Sequence, residues 1–224
     1  MSDCRGYFIT GTDTDVGKTV VTLGLMQALQ ARGHTVAAMK PVASGAIPTP
    51  GGLRNDDAVR LQQQGSVELD YALLNPYCFA PAIAPHLAAE QASVLLELDT
   101  IYNKYNEIKR ITDCVLVEGA GGWQVPLTAG ETLADVARML GLEVILVVAM
   151  RLGCLNHALL TAESITRQGC VLAGWVANQV LPQVAALDEN IRTLEARLAC
   201  PRLGTIPYQE DISVKFVAEH LSLP

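Results

Sequence analysis

Tyr7-Phe8-Ile9-Thr10-Gly11-Thr12-Asp13-Thr14-Asp15-Val16-Gly17-Lys18-Thr19 joins a short apolar, β-prone run to a loop bounded by glycines. A helix-period segment follows at once, with Val20, Leu23, Leu25, Met26 and Leu29. A strand, a tight loop and a helix start in that order build an anion site, because loop N–H groups and the helix dipole converge on one point. Lys18 adds a point charge suited to the β- and γ-phosphates of a nucleotide, and the Thr19 hydroxyl suits the accompanying Mg²⁺. The usual phosphate-binding loop has four residues between its glycines. Here Thr12 to Val16 make five.

Outward from this loop, strands and helices alternate. Strands are expected at Tyr7–Thr10, Thr35–Val42, Asp113–Glu118, Val144–Ala149, Val171–Asn178 and Leu203–Ile206. Helices are expected at Lys18–Ala31, Asn55–Gln63, Ser93–Ile111, Leu133–Leu140, Asn156–Gln168, Leu187–Leu198 and Ile212–Leu221. Tyr71 to Pro85 reads as irregular, with turns at Asn75-Pro76 and Ala80-Pro81. The fold expected is therefore α/β, a mostly parallel P-loop NTPase-like sheet with helices on both faces. No repeat or linker interrupts it, so one domain over residues 1–224 is expected.

Composition narrows the function. Lysine and arginine number 16 against 23 acids, a net charge of −7. With no basic stripe, nucleic acid is an unexpected partner. The longest clean apolar run, Val144 to Met150, suits a buried strand and is far below a membrane span. Met1-Ser2-Asp3-Cys4-Arg5 carries no basic-then-apolar leader. The six cysteines show no C-x-x-C pair, and Cys78, Cys114 and Cys170 beside apolar runs read as reduced core residues. Together these point to the cytoplasm.

Ligands of open α/β sheets gather at the carboxyl ends of the strands. Lys40 ends the second expected strand, Glu118 the third and Asn178 the fifth, while Gly153 and Asn156 follow the fourth. Pro207 and Tyr208 follow the last. Lys40 reads either as a snorkelling lysine or as a charge facing phosphate. Glu118, before Gly119-Ala120-Gly121-Gly122, reads as a metal-holding acid at an open turn. Asp56 and Asp57 read equally as first-turn acids or as a metal ligand. His86 and His157 have no ligand spacing to any Cys or His.

These stretches resemble the dethiobiotin synthetase family of the biotin pathway from residue 7 to about residue 210. The likeness is carried by the elongated loop, Lys40-Pro41-Val42-Ala43-Ser44-Gly45 and Gly52-Leu53-Arg54-Asn55-Asp56-Asp57-Ala58. It continues in Asn75-Pro76-Tyr77, Val115-Leu116-Val117-Glu118-Gly119-Ala120-Gly121-Gly122-Trp123, Leu152-Gly153-Cys154-Leu155-Asn156-His157 and Gly174-Trp175-Val176-Ala177-Asn178. The five-residue loop is the family's own form.

The resemblance implies an ATP- and Mg²⁺-dependent cyclo-ligase that joins 7,8-diaminononanoate and CO₂ into dethiobiotin. It implies Lys40 and Lys18 as catalytic residues, and Thr19, Asp57 and Glu118 as Mg²⁺ ligands. The nucleotide set implied is Asp15, Val16, Gly17, Lys18, Thr19, Val20, Asp57, Glu118, Gly119, Ala120 and Gly121. To it belong Asn178 on the adenine edge, Gln179, and Pro207, Tyr208 and Gln209 as walls of the base. Thr14 and Ser44 are implied as contacts of the carbamate or diamine. Gly153, Cys154, Leu155 and Asn156 are implied as the anchor of the substrate carboxylate, given by the other subunit of a homodimer. Related readings on the same loop are an amidoligase, for which 224 residues leave no glutamine-hydrolysing domain, and a partitioning-type switch. Asp15 stands where some members carry glutamate, Asp56 where a small polar residue is common. Gln183 to Asn190 and the tail after Gln209 match poorly.

Overall fold

The computed structural model describes residues 6–224, so the expectations about a leader and Cys4 lie outside the described residues. In chain order the elements are β1 (Tyr7–Gly11), α1 (Lys18–Ala31), β2 (Val36–Met39), β3 (Val42–Ala43), β4 (Ile47–Thr49) and β5 (Gly52–Arg54). Next come α2 (Asp56–Gln64), α3 (Tyr71–Leu74), β6 (Tyr77–Cys78), α4 (Pro85–Gln91), α5 (Leu98–Lys109), β7 (Cys114–Glu118) and α6 (Leu133–Leu140). The chain closes with β8 (Glu143–Ala149), α7 (Cys154–Arg167), β9 (Leu172–Asn178), α8 (Leu187–Arg197), β10 (Arg202–Ile206) and α9 (Val214–Glu219).

Six of the strands form one parallel sheet in the order β10-β9-β8-β1-β7-β2. Side chains alternate between faces along a strand, and both faces here are apolar. Along β7, Val115 and Val117 enter a cluster with Phe8, Met39, Ile101 and Leu133, whereas Leu116 enters the opposite cluster with Ile9, Leu25, Met26 and Ile145. Each such fully buried side chain contributes roughly 1.5–3 kcal/mol. A third cluster, around Trp175, Leu146 and Leu194, fills the space between β8, β9 and the α7–α8 side.

Register positions the site. Ile9 pairs with Glu118 and Met39 with Val117, so Gly11, Glu118 and Lys40 emerge at one level of the same sheet edge. Ala149 pairs with Asn178, which brings the β9 tip to that edge as well.

Helix ends follow sequence signals. α6 opens in a capping box of Thr132 and Asp135 and stops at Gly141. Asn55 caps α2 by accepting from the Ala58 N–H.

Four local expectations are corrected. The strand expected over Thr35–Val42 stops at Met39, because the Lys40 N–H leaves the sheet to donate to the Leu74 carbonyl. Val42–Ala43 instead pairs in parallel with Tyr77–Cys78 inside the stretch expected to be irregular. The helix expected from Ser93 begins only at Leu98, and a separate short helix starts at Pro85, whose missing N–H costs nothing at a first turn. Cys78, Cys154, Cys170 and Cys200 carry free thiols, whereas Cys114 is disulfide-bonded and so departs from the reduced state expected of it. No helix of the described residues is long and apolar enough to cross a membrane.

Candidate active site

The loop after β1 turns sharply into α1 at Gly17, whose φ of 86° lies in the left-handed region. A Cβ there would sit 2.1 Å from the Asn178 amide nitrogen, so this turn requires glycine on two counts. Asn178 also donates to the Val16 carbonyl at 2.8 Å, tying the β9 tip to the loop. The other flank is held by Arg151, which contacts the Asp13 carboxylate at 2.8 Å. Lys18 donates to the Asp13 carbonyl at 2.9 Å and closes the loop on itself.

Across the loop lies a cleft of about 940 Å³. Thr14, Asp15, Gly17, Lys18, Thr19 and Val20 form one wall. Lys40, Ser44 and Asp57 form the second, and Ala120 and Gly121 border the third. Below its floor is Glu118, fully buried, and Val16 is buried behind the loop.

Charges converge at that floor. Lys40 Nζ lies 2.6 Å from Glu118 Oε1 and 2.8 Å from Asp57 Oδ2. Thr19 Oγ1 donates to the same Glu118 oxygen at 2.8 Å. Burial alone would depress Lys40, but Glu118 and Asp57 outweigh it and hold its pKa above the ordinary lysine value. For Asp57, burial opposes ionisation, yet the Lys40 ammonium prevails and lowers its pKa. Lys18 lacks such a carboxylate partner. Burial, reinforced by Lys40, pushes it down to about 8 despite Glu118. An incoming phosphate would restore its full charge.

The donor set fits a hard divalent cation. Mg²⁺ is held by one or two carboxylates and keeps waters or phosphate oxygens for the rest. Asp57, Glu118 and the Thr19 hydroxyl supply that pattern. Glu118 Oε2 is buried with no hydrogen-bond partner among the described residues, an acceptor left over for a ligand. No group of three or more His, Cys, Asp or Glu that could by itself hold a metal ion occurs among the described residues.

Other expected residues lie apart from this cleft. Gly119 follows Glu118 against the Phe8 ring. Gln179 donates to the Leu181 and Pro182 carbonyls, and Pro207, Tyr208 and Gln209 follow β10; none of the four lines the cleft. Gly153, Cys154, Leu155 and Asn156 open α7, with Gly153 at a φ of 93°, but none of them lines the cleft. Conversely Asn55, Arg60 and residues Ala82 to Pro85 line it without having been singled out. Arg60 was accessible to sequence reasoning, since it lies one helical turn beyond Asp57 on α2.

A family model described as an AAA domain matches residues 5–215. Among curated proteins, the ATP-dependent dethiobiotin synthetase BioD of Pseudomonas aeruginosa (strain UCBPP-PA14) is 52% identical over 218 residues, covering 97% of this chain and 96% of its own. The like-named protein of Xanthomonas campestris pv. campestris (strain B100) is 45% identical over 218 residues, with 97% of each covered. Similar solved structures include the MinC:MinD cell division protein complex of Aquifex aeolicus, at a TM-score of 0.59 and 18% identity over 95% of this chain and 85% of that one. A ParA family ATPase from Chlorobium tepidum TLS gives 0.54 and 14%, over 97% and 91%. At such identities the structural likeness speaks for the fold alone, which is that of the P-loop NTPases.

Proposed function

The chain belongs to the ATP-dependent dethiobiotin synthetase family, and we propose that it converts 7,8-diaminononanoate, CO₂ and ATP into dethiobiotin, ADP and phosphate. At the coarser level it is an ATP-using ligase of biotin biosynthesis that acts on small molecules. In the proposed sequence, one amine attacks CO₂ and loses a proton to give an N-carbamate. A carbamate oxygen attacks the γ-phosphorus, the bond to the bridging oxygen breaks, and ADP leaves. The second amine attacks the carbonyl of the resulting carbamic–phosphoric anhydride, loses a proton and expels phosphate, closing the cyclic urea. Phosphorylation is needed because an unmodified carbamate oxygen is a poor leaving group.

The observation that carries this reading is the convergence of Lys18 and Lys40 on one cleft floor. Carbamate and γ-phosphate are both anions, and bringing them together demands fixed positive charge at the junction. Thr14 and Ser44 would contact the carbamate or diamine, and the Ser44 hydroxyl, buried without a partner, is available for that bond. Thr19, Asp57 and Glu118 would hold Mg²⁺, which supplies further positive charge to the phosphate oxygens when bound. Glu118 Oε2, which Lys40 does not touch, would be open to that ion, and the Lys40 ammonium would face the incoming anions. Asn178, Gln179, Pro207, Tyr208 and Gln209 would take the base.

We infer a homodimer in which Gly153, Cys154, Leu155 and Asn156 of one subunit anchor the substrate carboxylate in the other. These residues open α7, where the first-turn N–H groups of Leu155 and Asn156 suit an anion while that of Cys154 donates to the Arg151 carbonyl, and the adjoining Leu152 is fully exposed. Light scattering should give twice the chain mass.

Incubation with diamine, ATP, Mg²⁺ and labelled bicarbonate tests the reaction. Label should enter dethiobiotin with one phosphate released per ring closed. Diamine-independent ATP turnover would instead favour a nucleotide switch.

A further inference from the structure

Lys40 and Asp57 approach the floor from different elements, the end of β2 and the first turn of α2, and something must fix one against the other. A chain of hydrogen bonds, buried at Asn75 and part-buried at Asn55, runs between those elements. Tyr71 Oη accepts from the Asn55 N–H at 2.8 Å and donates to Asn75 Oδ1 at 3.0 Å. Asn75 Nδ2 then donates to the Lys40 carbonyl at 2.7 Å and to the Tyr77 carbonyl at 3.2 Å. Asn55 caps the helix that carries Asp57, and its Nδ2 donates to the Ser44 carbonyl at 3.2 Å. Tyr71 and Asn75 are 7% and 2% exposed, so the bonds of the Asn75 side chain cannot be exchanged for water without cost, while those of Asn55 are part-buried beside the cleft.

The polarity of the chain is determined. Two carbonyls face the Asn75 side chain on one side, so its nitrogen points there and its oxygen must accept from Tyr71. Tyr71 must therefore remain a phenol. Burial pushes it up to about 12, and the Arg54 guanidinium stacks 4.1 Å over its ring. The loop then closes through the Lys40–Asp57 contact of 2.8 Å.

We propose that Tyr71 and Asn75 are positioning residues, which hold the Lys40 backbone and the α2 N-terminus at the spacing the reaction needs. The proposal rests on the ring-closing function above. Neither residue lines the cleft. They act through Lys40, Asp57 and Ser44, and sub-ångström errors there are sufficient to slow a reaction between positioned groups.

Tyr71→Phe keeps the ring and removes the hydroxyl, leaving the Asn55 N–H and Asn75 Oδ1 unmatched. We expect its kcat for ring closure to fall about 10- to 100-fold, with the ATP dissociation constant by calorimetry changed by less than about threefold. Asn75→Asp, nearly isosteric, turns an acceptor toward the Lys40 carbonyl and should show the same split. It serves as the deciding variant if Tyr71→Phe does not fold. On a Lys40→Arg background Tyr71→Phe should have less effect on kcat than on the wild-type background, because part of its action passes through the lysine. A kcat within twofold of wild type, an equal loss of kcat and ATP affinity, or full additivity with Lys40→Arg would each overturn the proposal. A wild-type protein that forms no dethiobiotin would instead remove the functional reading beneath it.

Discussion

Lys40 Nζ and Glu118 Oε1 lie 2.6 Å apart, between side chains 5% and 0% exposed. Buried ion pairs lose much of their Coulomb gain to desolvation, but removing one partner strands the other. Lys40→Met should therefore destabilise the metal-free protein by roughly 3–5 kcal/mol. It should also lower turnover by about two orders of magnitude or more. Added Mg²⁺ should recover part of the stability, since a cation then compensates Glu118. Urea melts with and without Mg²⁺ check this, and an indifferent response to the ion would contradict the assigned ligands.

Lys18→Ala removes a cation whose hydrogen-bond partner is the Asp13 carbonyl and no carboxylate among the described residues. Calorimetry should show ATP binding weakened about 10- to 100-fold, the scale of a lost charge-assisted bond. The fold should be nearly unaffected, because no carboxylate hydrogen-bonds this ammonium.

Gly17→Ala forces a Cβ onto the Asn178 amide and a side chain into the left-handed region. A loss of roughly 1–3 kcal/mol is expected from the backbone alone. ATP binding should fall further than stability does, because the displaced loop is the proposed phosphate cradle. Asn178→Ala in addition should restore some stability while leaving nucleotide binding poor.

Asp113 accepts from both the Thr35 N–H and Oγ1 at 2.7 Å, joining the starts of β2 and β7. Those hydrogen bonds lower its pKa below the ordinary 3.8. A carboxylate lowered on folding stabilises above its unfolded pKa and loses that contribution as pH falls through the folded value. Asp113→Asn should thus flatten the acid limb of the stability curve below about pH 4, seen by melting in a pH series, with little change at the site.

The large elements were legible because their signals are local. Lys18–Ala31 and Leu133–Leu140 have the bounds expected, since Gly17, Thr132 and Gly141 mark them in the chain itself. Lys40, Glu118 and Asn178 were legible as strand-end residues once the sheet was read as parallel. The β4–β5 hairpin was not, because Pro48 and paired glycines at Gly51 and Gly52 argue against strands unless a partner is known. Asn75 reads as a turn residue before proline. Its bond to Lys40 spans 35 positions and exists only in three dimensions.

Glu118 keeps one oxygen that nothing among the described residues satisfies. A ligand taken up there by the folded chain alone would add to its stability by mass action. Where precursor and nucleotide run short, the resting population is the one proteases meet most readily. Ligand binding alone would then lengthen the lifetime of the folded chain under protease.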